Sequence, residues 1–139
     1  MSVYSGKFNI KTRGETDIKN ITQQVGEILT NSGIENGIIT VFIPGATGGI
    51  STIEYESGLI EDIKGAFERI APRNGRYKHN ERWGDGNGFS HVRATFMKPS
   101  ISLPFNDGEM ILGTWQQIIF MDFDNRPRER TIIVQIVGE

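Results

Sequence analysis

The chain has 139 residues, 37% of them hydrophobic, and a formal charge of -2. That length suits one domain, residues 1–139, around one core, and the slightly acidic balance excludes the polycation that holds nucleic acid or an anionic membrane. There is no cysteine, which removes disulfides, thiolate nucleophiles and Cys-containing zinc sites and leaves His79, His91 and the carboxylates as strong metal ligands.

Met1 to Asn9 shows no basic leader followed by an apolar segment, and no run approaches about 18 apolar residues. These features predict a soluble, cytoplasmic protein with neither a membrane nor a nucleic-acid partner. Alternating polarity from Val3 to Ile10 predicts an outer strand with one covered face. Lys11 to Glu15 turns the chain. From Asp17 onward Ile18, Ile21, Val25, Ile28 and Leu29 recur at helical spacing, with Thr16 or Asp17 as N-cap and Gly33 as C-cap.

The β-branched run Gly37 to Pro44 reads as a buried strand. It ends in the loop Gly45 to Gly49, whose glycines permit a close backbone approach. Ile50 to Tyr55 is a second strand, and Leu59, Ile60, Ile63, Phe67 and Ile70 mark the apolar face of a helix stopped by Pro72. Pro72 to Gly88 lacks periodicity and reads as one long loop. Phe89, Val92, Phe96 and Met97 fit a short helix, while Val92, Ala94 and Phe96 fit a strand equally well; the helix is the preferred expectation. Ser100 to Phe105 and Met110 to Leu112 flank the turn Asn106-Asp107-Gly108 as a hairpin. Trp115 to Phe123 and Arg130 to Val137 are two further strands, expected to pair as an antiparallel meander. About seven strands and two main helices give an α+β fold of mixed, mostly antiparallel sheets. Two helices cannot cover every sheet face, so a second sheet layer or a neighbouring subunit is expected to cover one.

Both imidazoles fall in or at the end of the long loop, beside Asp85 and Asn87. An imidazole moves protons or binds metal near neutral pH; the alternative for each is a surface or hydrogen-bonded structural histidine. The amides of Gly45 to Gly49, with Thr47, offer an anion cradle, against a reading as a simple tight turn. Glu54 either faces the histidines as ligand or base, or blunts an exposed strand. Arg126, Arg128 and Arg130 form either an anion clamp or ion pairs with Asp122, Asp124 and Glu129. Trp115 is either a stacking wall flanked by the hydrogen-bonding Thr114 and Gln116, or a core anchor.

These signals coincide in FIPGATGGISTIE (42–54), YKHN (77–80), NGFSHVRA (87–94), SLPFNDGEMILGTWQQI (102–118) and RPRER (126–130). Together they resemble the YjbQ family of small proteins, also called uncharacterised protein family 0047 and sometimes labelled secondary thiamine-phosphate synthase. Many members carry a histidine where this chain has Gly45, and the resemblance implies that it clusters with those matching His79 and His91. Two of the three imidazoles remain here, while Thr47 and Glu54 keep matching positions. The resemblance further implies an α+β fold, assembly as a homotrimer with pockets near subunit boundaries, and weak thiamine-phosphate-forming activity in some members.

The expected function is a small-molecule enzyme for an anionic or phosphorylated ligand. His79 is its acid or base, His91 orients the ligand or a metal, and Arg128 with Arg130 grips the anion. Thr47, Glu54, Asn87, Thr114 and Gln116 complete the ligand site. The expected cofactor is a divalent metal ion, Mg²⁺ or Zn²⁺, on His79 and His91. The alternative is a non-catalytic trimer that holds a metabolite or metal, with Asp85, Asn87 and Glu54 as supporting ligands.

Overall fold

The computed structural model describes residues 1–139 as eight strands and four helices. In chain order these are β1 (Ser2–Thr12), β2 (Asp17–Asn20), α1 (Thr22–Ser32), β3 (Gly37–Phe42), β4 (Gly48–Glu54), α2 (Ser57–Ile70), α3 (Lys78–Trp83), α4 (Gly88–Met97), β5 (Ser100–Asn106), β6 (Glu109–Met110), β7 (Gln116–Asp122) and β8 (Arg128–Gly138). The strands make two antiparallel sheets, a five-stranded one ordered β1-β8-β3-β5-β6 and a three-stranded one ordered β2-β7-β4. The architecture is α+β, as the element pattern predicts.

Side-chain alternation explains the layering. Ile132, Val134 and Ile136 of β8 point inward with Ile39, Val41 and Phe105, meeting Ile118 and Phe120 of β7 and the apolar stripe Val25 and Leu29 of α1. The opposite parity of β7 sends Ile119 and Met121 to a second cluster with Ile18, Phe67 of α2, Ala94 of α4 and Phe123. The small sheet is therefore apolar on both faces. One face packs on the large sheet, and helices cover the other. Each large side chain buried in this way contributes about 1.5–3 kcal/mol.

Five features differ from the expectations of the sequence. Ile18 lies on a strand, because Asp17–Asn20 pairs with Asp122–Ile119 of β7 and ladder bonds there replace a first helical turn. Neither Thr16 nor Asp17 caps α1: Asp17 accepts the Arg13 amide at 2.9 Å and Thr16 accepts from Arg93 at 2.7 Å. Asn20 Oδ1 instead accepts from the Thr22 amide at 3.1 Å. The long loop contains α3, one and a half turns too short to show a period. The last two long strands do not pair: β7 joins β2 and β4, whereas β8 joins β1 and β3. Their connection crosses from the small sheet to the large one. Finally, Val3 faces outward, since odd residues of β1 point away from the core that receives Phe8 and Ile10.

Candidate functional site

The site begins where α3 meets α4. Gly84 ends α3 in a left-handed conformation (φ 67°), which only glycine adopts without cost, and the chain returns at Gly88. A β-carbon on Gly88 would lie 2.6 Å from Tyr77 Cβ, so its absence lets the two helices touch. The Gly88 amide then donates to Asn80 Oδ1 at 2.9 Å. This close approach sets His79 of α3 beside His91 of α4, with ring centroids 4.5 Å apart. Asp85, on the connection, completes a set of three ligand atoms that all lie within 4.8 Å of one another.

The hydrogen bonds fix part of the proton arrangement. His91 Nδ1 lies 2.9 Å from the Ala46 carbonyl, and a carbonyl only accepts, so Nδ1 carries the hydrogen and Nε2 presents its lone pair. His79 Nδ1 is buried and has no hydrogen-bond partner. It lies 3.4 Å from Asp85 Oδ1, near enough for electrostatic contact but without hydrogen-bond alignment. Asp85 is itself tethered, its carbonyl accepting from Asn125 at 2.9 Å. A divalent ion of the zinc class fits two imidazoles and a carboxylate, and the orphaned buried nitrogen of His79 is the kind of group such an ion would satisfy.

Beneath the histidines lies a buried ion network at the crossover between the sheets. Arg130 donates through Nε to Asp122 Oδ2 at 2.8 Å and through Nη2 to Asp122 Oδ1 at 2.9 Å, Thr47 at 2.6 Å and Asp124 Oδ2 at 3.4 Å. Thr12 donates to Asp122 at 2.5 Å. Burial on its own would push the Asp122 carboxyl up and the Arg130 guanidinium down. The hydrogen bonds and charges they exchange, with Thr12 and the Asp124 amide adding to Asp122, reverse both, so Asp122 lies below and Arg130 above its ordinary value. Asp124 also receives Asn87 Nδ2 at 3.3 Å and lies 3.4 Å from Arg128. Asn87 thus ties the start of α4, and with it His91, to the network.

The sequence-predicted residues consequently divide into two groups. His79, His91, Asn87, Thr47, Arg128 and Arg130 gather around the α3–α4 junction and the network below it. Of the two expected anion-gripping arginines, Arg130 spends Nε and Nη2 on the ion-pair alternative, so the fork that would grip two oxygens of one anion already grips Asp122. Glu54, Thr114 and Gln116 lie elsewhere. Glu54 pairs with Gln116 at the far end of β4, six residues from Gly48 or about 20 Å along an extended strand, so it does not face the histidines. Glu54 and Thr114 line a separate cleft with Tyr55 and Trp115, while Gln116 folds back to accept the Gly113 amide and donate to Thr52. Trp115 is 72% exposed and anchors no core. Sequence reasoning placed Asp85 only among supporting groups and had no signal for the Ala46 carbonyl, since a backbone acceptor leaves no residue-type trace.

Two packed antiparallel sheets, with α1 in the core they share, α2 and α4 on the outer face of the small sheet and a histidine pair at the α3–α4 junction, define the class of fold. The family model for UPF0047 protein YjbQ-like matches residues 6–139, and the chain belongs to that family. A UPF0047 protein of Methanothermobacter thermautotrophicus is 38% identical over 139 residues, covering 100% of this chain and 95% of that protein. One from Archaeoglobus fulgidus is 35% identical over 129 residues, covering 93% and 98%. Among solved structures, a YbjQ-like protein of unknown function from Sulfolobus solfataricus superimposes with a TM-score of 0.94 at 35% identity, covering 99% of each chain. A hypothetical protein from Aeropyrum pernix gives 0.91 at 33%, covering 98% and 99%.

Proposed function

We propose that this protein is a small-molecule enzyme whose chemistry is carried by His79, His91 and Asp85 around a divalent metal ion. The supporting observation is the convergence of these three ligand atoms within 4.8 Å beside a cleft of about 220 Å³ lined by Gly45, Ala46 and His91. Bound there, the ion would supply a Lewis acid. The chain's own part is to hold the ligands and move a proton. His91, with Nδ1–H fixed on Ala46, presents Nε2 in one orientation, an arrangement that raises ligand precision. His79 is the acid or base. Asp85 stands 3.4 Å from it as the third ligand, and Asn87 holds α4 in place through Asp124.

The resemblance makes thiamine-phosphate formation, the joining of a pyrimidine pyrophosphate to a thiazole phosphate, the first reaction to assay. The primary test is uptake of Zn²⁺ by metal-free protein, followed by a substrate screen with the loaded protein. Stoichiometric Zn²⁺ uptake that is lost in His79→Ala and His91→Ala, with turnover of a screened substrate, supports the enzyme. Uptake without turnover of any substrate supports the non-catalytic holder of metal instead, and absence of uptake removes the metal.

We also propose that three copies assemble. The outer face of the large sheet is uncovered within the chain, and its register aligns Val3, Val137, Ile38 and Pro104 in one row across four strands. Phe42 pairs with Ile133 on the same face. Ile38 is 55% exposed, and aligned exposed apolar side chains on a flat sheet favour association.

A further inference from the structure

We propose that the substrate handled at the histidine site carries an oxyanion, docked on the Gly45–Thr47 loop by Arg130 Nη1 and the loop's free amides. This deepens the enzyme reading and rests on it for the word substrate, while the anion site itself stands on separate residues.

Three observations converge on the loop. Arg130 is only 7% exposed, and its Nε and Nη2 are consumed by Asp122, Asp124 and Thr47. Its Nη1 donates to no group of the protein, yet is not among the buried unpaired atoms, so the one spare nitrogen of a buried guanidinium is reached from outside. That nitrogen lies 3.7 Å from where a β-carbon on Gly45 would stand. Gly45 has φ 116°, a conformation that disfavours side chains and keeps this approach open. Finally, the amides of Gly45, Ala46 and Thr47 make no hydrogen bond within the chain. The same loop accepts His91 through the Ala46 carbonyl, so an anion held there sits next to the imidazole pair.

The chemistry favours an oxyanion over a cation. Backbone amides and a guanidinium offer donors alone. The ion network fixes the guanidinium before any ligand arrives, which lowers the ordering cost of binding. Asp122 and Asp124 also offset the positive charge. The anion is therefore held by directed donors more than by net charge, and a single spare nitrogen cannot make the bidentate grip of a free arginine.

The test titrates inorganic phosphate and acetate separately into metal-free protein by calorimetry, in chloride-free buffer. Phosphate is expected to bind, and Gly45→Asp, which puts a carboxylate beside Nη1, is expected to weaken it at least tenfold. Ala46→Asp, at an exposed position of the same loop, makes the same test without the positive φ and serves if Gly45→Asp does not fold. Tighter binding of acetate than of phosphate would assign the oxyanion as a carboxylate, and the reverse as a phosphate. Phosphate affinity is expected to persist in His79→Ala whether or not the wild type takes up Zn²⁺, so the metal and anion readings fail separately. Wild-type protein that binds neither anion, or carboxylate variants that bind as tightly as wild type, would overturn the proposal.

Discussion

His79 and His91 are the residues on which the functional reading turns. His79→Ala should lower turnover of a substrate found by screening roughly 10²- to 10⁴-fold, the range of a lost general acid or base. Its melting temperature should move little, because the ring is partly exposed and makes no hydrogen bond. Steady-state kinetics and a melt of the same preparation check both halves. Lys98 presents a different test, independent of chemistry. It ends α4 with φ 70° and ψ 157°, a region that is essentially glycine's alone, and holding a side chain there costs of order 1–3 kcal/mol. Lys98→Gly should therefore stabilise the protein by about 1 kcal/mol after the added freedom of the unfolded chain is subtracted, read as a melting temperature a few degrees higher.

Helix α4 links the histidines to the core. Its inner residues Phe89, Ser90, Arg93 and Ala94 are buried, and Arg93 donates to Ala71, Thr16 and Glu68. The helix therefore has one fixed position, and α3 is placed by packing on it. Gly88→Ala inserts a methyl group 2.6 Å from Tyr77 Cβ, which overpacking makes destabilising by about 1–3 kcal/mol. The expected consequence is a lower melting temperature together with Zn²⁺ affinity reduced by at least tenfold, since α3 must move away from α4 and carry His79 with it. A titration showing full Zn²⁺ affinity in a destabilised Gly88→Ala protein would show that the helix junction does not set the ligand geometry.

At the level of the assembled chain, the Asp122–Arg130 pair welds the two sheets at their crossover. The carboxyl of Asp122 is held below its ordinary value, so its contribution is complete above the unfolded-state value near 3.9 and disappears as pH falls through the lower folded value. Denaturant melts should accordingly show stability declining below about pH 4, and Asp122→Asn should flatten this acid limb. The same variant should lose about 3 kcal/mol at neutral pH, because it removes the carboxylate that pairs with two nitrogens of the buried guanidinium and leaves only the longer Asp124 contact at 3.4 Å. For the assembly, light scattering should report about three times 15.6 kDa. Ile38→Lys, which plants a charge in the outward apolar row, should shift that mass toward one copy without unfolding the chain; a wild-type monomer at micromolar concentration would refute the trimer.

Period-two and period-three-to-four hydrophobicity made most elements legible, since β8, α2 and the β5–β6 hairpin each bury one face whose spacing the residues record directly. Phe89–Met97 was less legible, because Val92, Ala94 and Phe96 suit a strand as well as a helix, and the face that α4 buries is Phe89, Ser90, Arg93 and Ala94. Which strands would pair was not: β7 is apolar on both faces, so its alternation is silent and cannot announce that it is the middle of a small sheet rather than the neighbour of β8. Ile18 fits a helical stripe and a β ladder equally well, and only the unsatisfied backbone of β7 selects the ladder. At the site, the two imidazoles and the arginine cluster were visible as residue types. Whether a group is free or spent depends on its partner: Asp122 and Asp124 were visible as candidate partners of the arginines, but other partners came from afar, Thr12 and Thr47 for the Asp122–Arg130 network, Ala46 for His91, a glycine's missing methyl for the meeting of α3 and α4. Local chemistry is written in the order of residues, whereas mutual geometry arises from packing between segments distant in the chain, where hydrogen-bond satisfaction and excluded volume choose among pairings that composition leaves equivalent.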